Sequence, residues 1–322
     1  MELQLKNIGM IKEANVKING LTVIAGENDT GKSTVGKALF LHLKVAISNN
    51  KDYVEHHKLE GLLFNRQISD LGEIKLLVNN DTIFISTFGN YTEVDFFDKN
   101  NFVYLPIMIE TPLVWNFTDF FRDIAQIESE MRIELDYPYL MKDLNFKLHI
   151  KSALDGLDIK KEVTDLMGGE FKKDEMGRYY FDKLGQRIEL VNTATGIKYF
   201  GIFQVLSQNN YLNKDTVLVL DEPEVHLHPK WQLEMAKIIV ELVKNGVKIV
   251  VNSHSPYMIE ALQRYSELSK INSDFYIAED GYIKKVNDSN AETLSKIFEK
   301  LSEPFDVFDE MDSQSMEKLI NG

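Results

Sequence analysis

Two glycines, a lysine and a hydroxyl side chain in the run Gly26-Glu27-Asn28-Asp29-Thr30-Gly31-Lys32-Ser33-Thr34 have the types and spacing that hold a phosphate chain. Glycine lets backbone N–H groups curl around phosphate oxygens, the lysine reaches the outer phosphates, and the Ser33 hydroxyl suits Mg²⁺. A second group lies far along the chain, where the apolar run Thr216 to Leu220 ends in Asp221-Glu222-Pro223-Glu224. Carboxylates at the end of a buried strand suit metal-assisted hydrolysis, with Asp221 holding the metal through water opposite Ser33 and Glu222 polarising the attacking water. In the third group, the apolar run Val247 to Val251 leads into Asn252-Ser253-His254-Ser255-Pro256. A lone histidine at a strand end is ordinarily structural. This one follows the acids by a single helix, where it could touch a γ-phosphate. Together the three groups predict a site for a nucleoside triphosphate and Mg²⁺.

The elements that must position these groups are legible around them. Leu21 to Ala25 reads as a strand feeding the loop, and Val35, Ala38, Leu39, His42, Leu43 and Ala46 follow helical spacing from Ser33 onward, so a helix N-terminus points at the anion. Leu3 to Lys6 and Ala14 to Ile18 read as earlier strands, and Trp231, Met235, Ile238, Ile239 and Leu242 as a helix between the last two groups. The fold class expected is α/β, with a nucleotide-binding core made of residues 1–50 and 185–290. An α+β lid or arm, 51–184, is inserted into it, and a C-terminal helical tail occupies 291–322. In the insertion, strands are expected at Ile74 to Val78, Thr82 to Thr87 and Phe102 to Leu105, and helices at Asn116 to Leu135 and Tyr139 to Ile150. Glu170 to Lys173 and Tyr179 to Asp182 read as a hairpin. No heptad repeat is sustained, so a long coiled coil is not expected. Phe275 to Ala278 and Tyr282 to Val286 read as a further hairpin, and the tail as a helix, an acidic-aromatic linker Glu303 to Asp312 and a short final helix.

Composition narrows the setting. Over 322 residues the net charge is −14, which disfavours the whole-surface phosphate attraction of a dedicated DNA-binding domain. Without cysteine there is no disulfide framework, thiolate zinc site or cysteine-ended zinc hook. No apolar run approaches the roughly 20 residues of a bilayer span. Met1-Glu2-Leu3-Gln4 starts a strand rather than a leader, so a cytoplasmic protein without a membrane partner is expected. His226 and His228 alternate as metal ligands could, but no third ligand has sensible spacing, and structural use is expected of them.

The sequences GENDTGKST, LVLDEPEVHLHP and VVNSHSP, in this order, resemble ATPases of the ABC class related to RecF and SMC proteins, and more narrowly the AAA15/OLD-like ATP-binding proteins. The resemblance implies an ABC/SMC-like P-loop NTPase head with a mixed sheet flanked by helices, ATP with Mg²⁺, a loop from Gly26 to Thr34 that binds the nucleotide, metal binding by Ser33 and Asp221, and catalysis by Glu222 with His254. It implies a homodimer or higher homo-oligomer in which two heads sandwich two ATP molecules, each facing a signature loop of the other. The segment in the signature position is Asn192-Thr193-Ala194-Thr195-Gly196-Ile197-Lys198. Gly196 is retained and Ala194 takes the usual serine place, leaving Thr193 or Thr195 to supply the hydroxyl. A glutamine loop is unassigned, with Pro106 to Pro112 the positional candidate. The run after Glu222 lies along the dimer seam in this family, where His226 would meet the opposing head. Relatives of the OLD type carry a Toprim nuclease after the ATPase. Ile277 to Gly281 resembles its first acidic turn only faintly, and a fused nuclease is not expected. By the same analogy the chain is an ATP-driven switch in anti-phage defence or DNA maintenance, acting with a separately encoded nuclease or toxin, and nucleic acid is a candidate partner. The other readings are the nucleotide-binding subunit of a membrane transporter and a scaffold that binds ATP without hydrolysing it.

Overall fold

The three apolar runs that precede the chemical groups become adjacent strands. The computed structural model describes residues 1–47, 72–78, 81–87, 104–132 and 138–321. In it β3 (Leu21–Ala25), β10 (Thr216–Asp221) and β11 (Lys248–Ser253) are parallel neighbours, apolar and buried along most of their length. Strands this uniformly apolar are those covered on both faces. Side chains alternate accordingly: Leu218 and Leu220 join one apolar core, Val217 and Val219 the other. The ladder pairs Asp221 with Asn252 and Ser253 with Ala25, which brings the carboxyl ends of all three strands level. In open α/β sheets, ligands bind outside those ends.

Around this centre the sheet has ten strands, in the order β5-β4-β1-β2-β13-β12-β3-β11-β10-β6. The parallel half ends at β6 (Leu105–Ile109). The antiparallel half comprises β1 (Glu2–Ile8), β2 (Ile11–Lys17), β4 (Glu73–Val78) and β5 (Asp81–Thr87). The hairpin β12 (Ser273–Glu279) and β13 (Tyr282–Lys284) joins the halves through Asp280 and Gly281, both at positive φ, as a two-residue hairpin turn requires. Helix α1 (Lys32–Ile47) follows the phosphate loop and contributes Val35, Ala38 and Leu39 to one core, starting one residue before the expected Ser33.

The span expected to be a lid or arm contributes strands to both ends of the sheet: β4 and β5 at one, β6 at the other. Three of its described strands are therefore built into the head's sheet. The span also contains helices α2 (Thr118–Met131), α3 (Tyr139–His149) and α4 (Lys160–Met167), and the strands β7 (Glu170–Lys173) and β8 (Tyr179–Lys183), which form a separate sheet with β9 (Gln186–Glu189) just beyond it. The β7–β8 hairpin turns where Asp174 Oδ1 accepts from the amides of Met176 and Arg178. Trp115, at the end of β6's connection, stacks on Phe171 with centroids 5.0 Å apart, which fixes this small sheet to the core.

Three expectations shift. The strand placed at Phe102 to Leu105 runs from Leu105 to Ile109, and Phe102 lies outside the described residues. The helix placed at Asn116 to Leu135 begins as a 3₁₀ turn, Pro112–Phe117, and its α part stops at Met131, with Arg132 left-handed at φ 52°; Leu135 lies outside the described residues. The tail carries no linker: α8 runs unbroken from Asn290 to Asn321 with Pro304 inside it. An interior proline deletes one backbone hydrogen bond and tends to kink a helix. It does not stop one whose flanking turns form their own bonds. Helices α5 (Thr195–Gln208), α6 (Pro229–Lys244) and α7 (Pro256–Ser269) complete the head.

Candidate functional site

The loop between β3 and α1 owes its shape to residues that tolerate close approach and left-handed backbone. Asp29 and Gly31 have φ of 65° and 88°. A Cβ on Gly26 would lie 2.4 Å from the Ala278 carbonyl oxygen of β12, so only glycine lets the loop leave the sheet there. Thr30 Oγ1 donates to the Glu27 carbonyl at 2.8 Å and Thr34 N to the Gly31 carbonyl at 3.1 Å, while Glu27, Asn28 and Asp29 face solvent. Lys32 is only 4% exposed, and its Nζ donates to the carbonyls of Gly26 (2.9 Å) and Glu27 (2.6 Å). Its side chain is thus held over the loop, at the N-terminus of α1.

The acids come to this loop from β10. Ser33 Oγ donates to Asp221 Oδ1 at 3.1 Å across the strand ends, and Asn252 Nδ2 donates to the same oxygen at 2.8 Å. A hydroxyl and a carboxylate in contact form the hard-oxygen donor set Mg²⁺ prefers, leaving further positions for water and phosphate. Glu222 follows with φ 48°, a strained conformation for a residue with a Cβ, and its amide is fixed to the Asn252 carbonyl at 2.9 Å. Its Oε1 lies 3.2 Å from His254 Nδ1. Both side chains remain about a third exposed, 35% and 39%, so the site is open on that side. The residues expected to bind phosphate and metal and to activate water therefore converge, and the glycine cradle and oxygen donors fit MgATP.

Burial holds the Lys32 pKa below the usual 10.5, while the carboxylates of Glu222, Asp221, Glu224 and Glu27 pull it back up. A bound triphosphate would add to the upward pull, so the site would take up protons on binding in the alkaline range where the free amine is partly neutral. Affinity is then expected to fall as pH rises through the lowered pKa, approaching tenfold per unit above it. Calorimetry of ATP binding in two buffers of different ionisation enthalpy reads this directly. Proton uptake that stays zero from neutral pH to 10 would contradict it.

Among the described residues the signature segment makes no hydrogen bond to this loop. Thr193 is 7% exposed and its hydroxyl donates to the Glu189 carbonyl at 3.0 Å. Ala194 sits at the N-cap of α5 with no side-chain hydrogen bond, so the first amides of that helix lack a side-chain cap. Gly196 packs tightly: a Cβ there would come within 3.3 Å of the side chains of Leu227 and Trp231. The signature thereby abuts the run that follows Glu222. His228 caps α6 through Nδ1, which accepts from Lys230 N at 3.2 Å, whereas His226 is exposed with φ 68°. No group of three or more metal-ligating side chains occurs among the described residues. Within Pro106 to Pro112, Glu110 reaches Lys37 of α1 at 3.1 Å.

Two contributors were not assigned a role from sequence. Asn252 orients Asp221, and Glu224 is buried beneath the His254 turn. A second carboxylate after Pro223 was the visible signal for Glu224; Asn252 depended on strand register.

The loop, acids and histidine thus lie together at level strand ends of an α/β sheet. Residues 117–259 match the AAA_15 family, described as an AAA ATPase domain, a segment that contains Gly196, Asp221, Glu222 and His254. The matched segment begins after the phosphate loop and covers less than half of the chain. Among solved structures, the chain is similar to an SMC head bound to the C-terminal winged-helix domain of ScpA (13% identity, 88% of this chain and 96% of that one, TM-score 0.49). It is also similar to the SMC head domain from Thermotoga maritima (13%, 88% and 98%, TM-score 0.46). A third likeness is to an ATP-binding cassette of an ABC transporter in its ADP conformation (16%, 94% and 96%, TM-score 0.40). No helix among the described residues is long and apolar enough to cross a membrane.

Proposed function

We propose that the chain binds MgATP at the loop from Gly26 to Thr34 and hydrolyses it as a conformational switch, with two copies closing around two nucleotides. One observation carries the reading: Ser33, Asp221, Glu222 and His254 form a connected chain of contacts beside Lys32, on a side open to solvent. In the roles inferred here, Lys32 and the loop amides hold the phosphates, and Ser33 and Asp221 the metal. Glu222 draws a proton from the attacking water, and His254 orients Glu222 and meets the γ-phosphate. The uncapped start of α5, with Thr195 and Gly196, would bind the γ-phosphate held by the other head, while Thr193 supports the turn. By family analogy the switch drives a separately encoded nuclease or toxin in defence or DNA maintenance, in the cytoplasm.

A closed pair of heads makes turnover second order in protein at low concentration. The Mg²⁺-dependent rate per chain is expected to rise with protein concentration and then level off. A constant rate per chain would sink the two-head part, and no turnover at any concentration would sink hydrolysis. The loss of the signature serine and the engagement of the Thr193 hydroxyl favour one second reading, an ATP-bound scaffold. That reading expects tight binding with no turnover.

A further inference from the structure

Glu224 is a carboxylate buried to 5% exposure, two residues beyond Glu222. Its Oε1 accepts from Ser253 Oγ at 2.7 Å, from the His254 amide at 2.9 Å and from the Ser255 amide at 3.1 Å. The two amides belong to the turn that joins β11 to α7, where the strand ladder has ended and no helix has yet begun. The Ser255 amide also lies 3.1 Å from Ser253 Oγ, so Glu224 Oε1 is the acceptor on which the His254 amide depends. The turn is held at a second point as well. Ser255 Oγ donates to Gln232 Oε1 at 2.6 Å, Gln232 Nε2 donates to the Leu227 carbonyl at 3.1 Å, and Ser255 caps α7. His254 therefore has its backbone fixed by one carboxylate and its ring by another, with Nδ1 3.2 Å from Glu222 Oε1 and 3.7 Å from Glu224 Oε1.

From this geometry we infer that Glu224 is a positioning residue for hydrolysis, acting through His254. The inference rests on the hydrolytic reading above and deepens it. A fold requirement alone explains the arrangement poorly. Burying a carboxylate is costly, and here its other oxygen, Oε2, is buried with no hydrogen-bond partner among the described residues. A charged acceptor does form shorter and stronger bonds than a neutral one, which suits a turn that must hold a ring within a fraction of an ångström. The left-handed backbone at Glu222 separates the two acids, sending one side chain to the open site and letting the other reach beneath the turn. Glu224 contacts neither Ser33 nor the loop carbonyls that receive Lys32.

The test is a cycle of Glu224→Ala, His254→Ala and the double variant, each measured for steady-state ATP turnover and for ATP affinity by calorimetry. Glu224→Ala is expected to lower kcat about 10- to 100-fold, the range a misplacement near 1 Å produces, with affinity changed less than threefold. The double variant is expected to turn over no more slowly than His254→Ala, because residues acting as a unit are not additive. Additive losses, or a loss confined to affinity, would overturn the inference. Should Glu224→Ala not fold, Glu224→Gln takes its place: it keeps an acceptor oxygen of the same reach and is expected to retain more turnover than any shorter side chain. A Gln variant as impaired as His254→Ala would count against the proposed role. If the wild type hydrolyses nothing, the hydrolytic reading fails by itself. Amide hydrogen exchange at His254 and Ser255 then decides the positioning claim: at least tenfold faster exchange in the variant supports it, and unchanged exchange overturns it.

Discussion

Glu222→Gln is expected to lower ATP turnover by about 10²- to 10⁴-fold, the usual contribution of a general base, while ATP affinity stays the same or improves. The substitution is nearly isosteric, and the backbone of position 222 is fixed by its amide bond to the Asn252 carbonyl and by the Val225 amide donating to its own carbonyl. The left-handed φ of 48° is paid for by those bonds and does not depend on the carboxylate. The amide oxygen of glutamine can still meet His254 Nδ1, which now lies 3.2 Å from Oε1. What disappears is the proton acceptor and one negative charge beside the phosphates, so binding and chemistry should separate cleanly. With hydrolysis blocked, paired heads should also persist longer in the presence of MgATP, visible as a larger species in sedimentation. Retention of more than about a third of wild-type turnover would show that Glu222 is not the base.

How much of this was legible in the chain depends on whether the determining contact is local. The phosphate loop was, because the glycines, the lysine and the helix start all lie within one short run. The convergence of Asp221 with Ser33 followed from the order of the motifs, since an acid at the end of a buried parallel strand can only sit at the carboxyl edge of the sheet. Asn252 was not assigned, because its partnership with Asp221 depends on β10 and β11 being paired in that register. The direction of Glu224 was likewise hidden: it follows from positive φ at Glu222, which no local propensity favours. The strand placed at Phe102 to Leu105 is displaced to Leu105–Ile109 and includes Pro106; β6 pairs with β10 alone among the described strands, and an edge strand can accommodate a residue without an N–H. The acidic-aromatic run Glu303 to Asp312 reads as a linker, whereas the turns on either side of Pro304 continue the helix. In the span expected to be an arm, strand pairing over long sequence distances places β4 and β6 in the head's sheet.

Lys32→Ala is expected to weaken ATP binding at least about 100-fold, or about 2.8 kcal/mol at 1.4 kcal/mol per tenfold, with the fold retained. Two effects add. The variant loses the ammonium that reaches the outer phosphates, and it leaves Glu222 and Asp221, the carboxylates that act on it most strongly, without their cation, so an incoming polyanion meets uncompensated negative charge. Stability should change little by comparison. The ammonium is buried and its desolvation depresses its pKa, so removing it relieves a cost as well as deleting the bonds to Gly26 and Glu27. The loop itself keeps the Thr30–Glu27 and Thr34–Gly31 bonds that set its curvature. A thermal melt within a few degrees of wild type, together with calorimetry showing binding lost, is the expected pair of results. Because the effect is electrostatic as well as geometric, the loss should be larger for ATP than for ADP, whose phosphate chain is shorter and carries less charge. An unchanged ATP affinity would mean that the phosphate chain does not lie along this loop, and a collapsed fold would mean that Lys32 serves the core instead.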